Sequence, residues 1–147
     1  MIEIITKKFS ELTSNELYEI LQLRSEVFVV EQNCVYQDID FKDQKALHVF
    51  GQKNDKIIAY TRIFKPGDYF KEASIGRVVV AKNERKHGYG HIIMSYSIQA
   101  VHSFFNEKVI KISAQKYLKE FYQSHDFIQV GEEYLEDDIP HIGMVKF

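Results

Sequence analysis

The chain has no tryptophan, one cysteine and two prolines among its 147 residues. A lone Cys34 cannot close an intramolecular disulfide, which excludes a small scaffold stapled by bridges and any paired-cysteine metal motif. Pro66 and Pro140 are too few and too far apart for a proline-rich linker, and no internal repeat or low-complexity tract is present. No run approaches the ~18 apolar residues needed to span a bilayer, and the opening MIEIITKKF has neither the apolar core nor the cleavage region of a secretory signal. A cytoplasmic location, with a reduced thiol and no membrane partner, is therefore expected. An excess charge of one sign is missing too: 19 basic residues nearly cancel 21 acidic ones. That removes the global electrostatic argument for a nucleic-acid partner, so any anion site has to be local.

What remains is an ordinary globular composition, 45% hydrophobic and 14% aromatic, long enough for one core. A single domain over residues 1–147 is expected. Met1 to Lys8 reads as an edge strand. Thr13 with Glu16 three residues on is a capping box opening a helix whose Leu17, Ile20, Leu21, Arg24, Val27 and Phe28 share one face. Arg24 is the odd member of that apolar stripe, and its guanidinium needs a partner: Glu31, Asp38, Asp40 or a substrate. LHVFGQK (47–53) and KIIAYTRIF (56–64), separated by Asn54-Asp55, form a hairpin. SIGRVVVAK has the short apolar run of a central strand. From Gly88 to about Asn106 the period becomes helical, with Ile92, Ile93, Tyr96, Ile98, Val101 and Phe105 among its amphipathic positions. VIKIS, then LKEFYQSH, then FIQVGEEYL and PHIGMVKF complete the order β-α-β-β-β-α-β-α-β-β. This is an α/β chain with a mixed sheet, in which the strand-helix-strand unit should be right-handed and its two strands parallel.

The corner Arg85-Lys86-His87-Gly88-Tyr89-Gly90 joins the VVV strand to the long helix. Its backbone amides fall in the unsatisfied first turn, where the helix dipole favours an anion. Glycines at 88 and 90 allow oxygens to approach the main chain, and Arg85 and Lys86 supply charge. Two phosphate-loop patterns fail on spacing: Gly90 is followed by His91 and Ile92 rather than Lys-Ser/Thr, and position 93 is Ile where a dinucleotide fingerprint needs a third glycine. His87 and His91 stand four apart at a helix start, but without a third ligand at suitable spacing no metal is expected.

Arg-x-x-Gly-x-Gly after a Val-x-Val strand resembles the acetyl-coenzyme A loop of the GNAT N-acetyltransferase superfamily. Downstream, Tyr122 to Phe127 is similar to that superfamily's Tyr-x-x-x-Gly-Phe ending, with Asp126, which tolerates a left-handed conformation, in the glycine's place. Leu23-Arg24, Val27 to Gln32, Cys34, Asp38-Ile39-Asp40, Ile75 to Val80, Ser113-Ala114-Gln115 and Ile139 to Met144 together resemble the ElaA-type subfamily over nearly the whole chain.

The resemblance implies a GNAT fold, a mixed twisted sheet of about seven strands with splayed central parallel strands and about four flanking helices. It implies acetyl-CoA as the acetyl donor, held by Val78, Val79 and Val80 along the strand, by Arg85, Lys86, His87, Gly88, Tyr89, Gly90 and His91 around the pyrophosphate, and by Gln115. Attack by an acceptor amine is direct, with backbone donors near Val78 stabilising the oxyanion and Tyr122 donating to the leaving thiolate. Arg24, Glu31, Asp40 and His141 are candidates for contact with the acceptor, and Glu31, Asp40, His48, His141 or a water relay for the base. The acceptor is an amine of a small molecule or a protein, and the chain is expected to be a monomer or homodimer. Two alternatives stand beside this: a non-catalytic acyl-CoA sensor or interaction module, and an acyl-homoserine-lactone-synthase-like acyltransferase, whose first helix Arg-x-x-Val-Phe also resembles.

Overall fold

The computed structural model describes residues 1–147. Seven strands, β1 (Glu3–Lys8), β2 (Leu47–Lys53), β3 (Lys56–Phe64), β4 (Ala73–Val80), β5 (Ile110–Gln115), β6 (Ile128–Glu136) and β7 (Ile139–Lys146), form one sheet in the order β1-β2-β3-β4-β5-β7-β6. Every neighbouring pair is antiparallel except β4 and β5, which meet through the crossover helix α2 (Tyr89–Phe105). That one parallel pair registers only at Ala73 with Ile110 and Ser74 with Lys111. Beyond those two rungs the strands part, and the sheet opens into two wings.

Helix α1 (Ser14–Arg24) starts at the expected capping box, with Thr13 Oγ1 accepting from Glu16 N and Glu16 accepting from Thr13 N. It does not continue as an α-helix to Phe28. From Ser25 to Glu31 it widens into a π-helical segment, in which Gln32 N reaches back to Val27 O and Cys34 N to Val29 O. With the short α3 (Lys119–Gln123), four helical segments flank the sheet besides single 3₁₀ turns. No helix is long and apolar enough to cross a membrane.

Alternation along β2 explains the two cores. Val49 points to one face and packs in a cluster with Ile63, Ile75, Ile112, Met144 and the α2 residues Ile93, Met94 and Val101. Its neighbour Phe50 points to the other, joining Tyr60 and Val79 beneath Ile20, Leu23 and Val27 of the first helix and its π extension. The apolar faces thus turn slightly from the expected ones: Leu23 rather than Leu21 is buried in α1, and Met94, Ser97 and Ala100 replace Ile92, Tyr96 and Ile98 as the inner row of α2. Each large aliphatic or aromatic side chain so buried contributes about 1.5–3 kcal/mol. The β2–β3 turn is the tight one its residues foretell, Asn54 and Asp55 both lying at positive φ (53° and 61°).

Candidate functional site

Where β4 and β5 separate, a cleft of about 440 Å³ opens, in the size range of a small-molecule site. Val78, Val79, Val80, Arg85, Gly90, Gln115 and Tyr122 all line it, as do Glu31 and His141. Ala81 N donates to Ile58 O, which turns the odd-numbered main-chain groups of this stretch toward β3. Strand alternation then turns those of Val78 and Val80 toward the cleft, where β4 has no strand partner after Ser74. Arg77 lies in the left-handed region at φ 49°, within a register shift between β3 and β4 that bends the strand at the point of divergence.

The corner after β4 is a 3₁₀ turn, Lys82–His87, closed by Gly88 at φ 74°. A Cβ at Gly88 would meet nothing within 4 Å, so the positive φ, not space, calls for glycine there. At Gly90 a Cβ would face Phe121 at 3.4 Å and Val80 at 3.9 Å, ordinary contact distances. Ile92 N returns to Gly88 O at the start of α2, so the amides of Tyr89, Gly90 and His91 belong to the first turn, which has no partner inside the helix. Lys86 and His87 are exposed on the turn and do not line the cleft. The side chains of Tyr89 and His91 turn elsewhere: Tyr89 is buried beside the Lys53 ammonium, and His91 lies against Phe121 and His125, its Nδ1 3.0 Å from His125 Nε2. His91 therefore partners His125, not His87, and no three His, Cys, Asp or Glu side chains gather in a metal-binding group.

The π-helical segment straps the cleft. Glu31 takes both terminal nitrogens of Arg85 at 2.6 and 2.8 Å, while Arg85 Nε donates to Val80 O at 3.0 Å. Next to it the Gln32 and Gln115 amides pair reciprocally at 3.2 Å across the opening. The Arg85 hydrogen bonds and charge hold the Glu31 carboxyl below its ordinary range. Glu31 is thus committed to Arg85 rather than open to an acceptor.

Tyr122 is 5% exposed, and burial pushes its phenol well above the usual value. It is a protonated hydroxyl with no side-chain hydrogen bond, on the cleft wall. Its orientation is fixed by the turn that follows: Asp126 adopts φ 69°, and Phe127 N returns to Tyr122 O at 3.2 Å.

Two expected contact residues are not in the cleft. Arg24 is fully buried and donates through Nε to Asp38 Oδ2 (3.0 Å) and through Nη1 to Asp43 Oδ1 (2.7 Å). Asp40 chelates Arg62 at 2.8 and 2.9 Å, and Arg62 Nη1 also reaches Asp43 Oδ1 at 3.0 Å. Unpaired burial of a guanidinium is costly, and the loop 38–43 supplies the anions that pair with both, leaving only Arg62 Nε without a partner. Burial alone would raise the Asp43 carboxyl, but the hydrogen bonds and charges of Arg24 and Arg62 outweigh it and hold it low. His48, another candidate base, lies inside the same network, fully buried between Tyr60 OH (2.6 Å) and Asp43 O (2.9 Å). The network reaches the cleft through Arg77, whose Nε lies 2.8 Å from Asp38 Oδ1 and whose guanidinium covers the Tyr36 ring. Arg62 was missed in the sequence, although an arginine inside KIIAYTRIF was a visible signal, and Asp43 was not among the partners expected for Arg24. Ser113, from the Ser113-Ala114-Gln115 stretch, lines the far wall together with Glu136 and Asp137.

A sheet split into two wings, a bulged strand at the split and a glycine corner opening a long helix are the architecture of an acyltransferase. Residues 10–147 match the family model described as an acetyltransferase (GNAT) domain, and the chain belongs to the GNAT acetyltransferase family. Within it the chain is of the ElaA type: it is 45% identical to protein ElaA of Escherichia coli K12, over 99% of this chain and 97% of that one. The crystal structure of Escherichia coli ElaA superimposes with a TM-score of 0.93 at 44% identity, covering 100% of both chains. An acyl-CoA N-acyltransferase from Pseudomonas aeruginosa does so with 0.95 at 39% identity, again over 100% of both.

Proposed function

We propose that the protein is an N-acetyltransferase that takes the acetyl group from acetyl-CoA and passes it to an amine of a small molecule or protein. The observation that carries this is the cleft-facing edge of β4, which offers the main chain of Val78 and the Val80 N–H, the Val80 carbonyl being held by Arg85 Nε, and runs into the first-turn amides of Tyr89, Gly90 and His91. An amide-bearing chain ending in a pyrophosphate is complementary to that edge: strand-like pairing along β4, then oxyanions on the helix start. The residues present fit the group. An aminoglycoside 6'-N-acetyltransferase that shares the fold, with a TM-score of 0.72 at 15% identity, was crystallised with coenzyme A.

The thioester supplies an electrophilic carbonyl and a stable leaving thiol. Val78, just past the bulge, has the N–H that would stabilise negative charge developing on the carbonyl oxygen. Tyr122 carries a proton that burial keeps in place, and a phenol can donate it to a departing sulfur. Arg85 and Lys86 stand where phosphate charge would gather, with Glu31 competing for Arg85. Calorimetric titration with coenzyme A, paired with thiol release from acetyl-CoA across an amine panel, tests the proposal. Absence of coenzyme A binding overturns it, and tight binding without turnover on any amine assigns the protein to the sensor class.

A further inference from the structure

The far wall of the cleft holds a cluster that the donor side does not use. Ser113 at the end of β5, Tyr134 and Glu136 on β6 and His141 on β7 come together where β6 and β7 pair Tyr134 with His141. Tyr134 OH lies 2.5 Å from Ser113 Oγ, and Ser113 Oγ donates to Glu136 Oε1 at 3.1 Å. With the serine proton spent on the carboxylate, the tyrosine hydroxyl donates to the serine, so the chain of hydrogen bonds runs one way and ends on Glu136. No lysine or arginine pairs with that carboxylate; its charged-group neighbour is His141 alone.

His141 is 6% exposed, and its ring stacks on that of Tyr134 at an inclination of 25°. Its Nδ1 is 2.7 Å from the Ile139 carbonyl, an acceptor only. Nδ1 therefore carries the proton, and in the neutral ring Nε2 presents a lone pair. That nitrogen faces Glu136 Oε2 at 3.6 Å without forming a hydrogen bond. A buried acceptor nitrogen and a half-exposed carboxylate oxygen that no protein cation neutralises thus look at each other across a gap on the wall of the cleft. A ligand group that satisfies both is a cation with several N–H donors.

We propose that Glu136 and His141 form the acceptor-ammonium site, with Glu136 binding a protonated primary alkylamine and His141 Nε2 acting as the general base that makes it nucleophilic. The inference rests on the acetyl-transfer proposal and extends it to the acceptor class. The steps balance as follows. The ammonium N–H proton moves to His141 Nε2, and the freed nitrogen pair forms the new C–N bond at the acyl carbonyl. The C–S bond breaks with its electron pair going to sulfur, and Tyr122 delivers a proton there. The second nitrogen proton returns to Tyr122, and His141 releases its proton to solvent. The products are an N-acetyl amide, the free thiol and one proton. Asp137 and Asp138, directly after Glu136, add a negative field that favours a cationic acceptor over a neutral or anionic one.

The test uses the full chain with acetyl-CoA and two groups of acceptors: alkylamines that are cationic at neutral pH (putrescine, lysine, tyramine) and aryl amines that are uncharged there (aniline, p-anisidine). His141→Gln is expected to lower kcat with alkylamines by about 10²-fold or more, the usual weight of a general base, while the coenzyme A Kd stays within about twofold. Imidazole added to His141→Ala should restore part of that rate. Glu136→Gln is expected to raise KM for the alkylamines about tenfold and to leave kcat within about threefold, the pattern of lost binding rather than lost chemistry. Either variant should lose less with any aryl amine that wild type accepts. Wild type that acetylates alkylamines while His141→Gln keeps its turnover, or loses turnover and coenzyme A binding together without imidazole rescue, overturns this inference and leaves acetyl transfer standing. Failure of wild type to release thiol with any amine overturns both.

Discussion

Asp43 is where the ion network is most exposed to a single change. Its Oδ1 accepts from Arg24 Nη1 at 2.7 Å and Arg62 Nη1 at 3.0 Å, and the two arginines are 0% and 1% exposed. Asp43→Ala removes the anion the two share. Arg24 keeps Asp38, and Arg62 keeps Asp40, but each guanidinium loses a contact that water cannot replace. Removing one partner of a buried pair costs about 3–5 kcal/mol, because the remaining charge stays desolvated. For a chain of this length that is a fall in Tm of roughly 6–20 °C, at about 2–4 °C per kcal/mol. Asp43→Asn keeps an acceptor oxygen and should lose clearly less. The assay is calorimetric or circular-dichroism melting of wild type and both variants at neutral pH, repeated in high salt. Burial shields these pairs, so the deficit should persist when salt is added. A loss under about 1 kcal/mol for Asp43→Ala would show that the arginines find water or new partners, and the reasoning from burial would fail.

Tyr122→Phe deletes only the hydroxyl and should lower kcat by about 10²-fold with coenzyme A affinity nearly unchanged, read by steady-state kinetics and calorimetry; unchanged turnover assigns the residue to packing. Gly90→Ala adds a methyl at contact distance from Phe121 and Val80, so Tm should hold within a few degrees while coenzyme A binding weakens several-fold; equal loss of both would make Gly90 a packing residue. Stability should fall as pH drops. His48 is held below its ordinary 6.5 by burial. Asp40 and Asp43 lie below their ordinary 3.8, where arginine hydrogen bonds outweigh burial. In each case the unfolded chain binds the proton first, so the stabilisation is present above the ordinary value and lost as pH falls through the folded one. Melting curves should decline below about pH 6.5 and steepen below about pH 4; a Tm that is flat from pH 7 to 3 would refute the sign.

The element order was legible in the sequence because each strand and helix carries its own periodicity and its own stop signal: Thr13 with Glu16, Asn54-Asp55, Gly88, Asn106. The crossover between β4 and β5 fixed their parallel sense, and the ElaA-type resemblance anticipated their splay. The extent of that splay is a matter of register, which local pattern does not encode. The π-helical widening at Ser25 has no glycine or proline to announce it. Arg24 was correctly marked as needing an anion, but the shared partner was Asp43, brought close by a loop whose path depends on Arg62 as much as on Arg24. Of the candidate site, the corner and Tyr122 were marked by a compact motif. The meeting of Ser113, Tyr134 and Glu136 was not, because they sit on two strands, β5 and β6, that are brought together only by pairing with β7 between them.

The two rungs between β4 and β5 give the sheet a geometry that its strand count conceals. A seven-stranded open sheet ordinarily has two edges; this one has four, β1 and β6 outside and the diverging β4 and β5 within. Unpaired strand edges are templates for another chain, and proteins blunt them with charge or cover. Here the inner pair is guarded by the bridge from Glu31 to Arg85 and by the paired amides of Gln32 and Gln115. The strap that shapes the cleft therefore also covers the inner strand edges, and the capping of those edges is tied to the same few residues that frame the cleft.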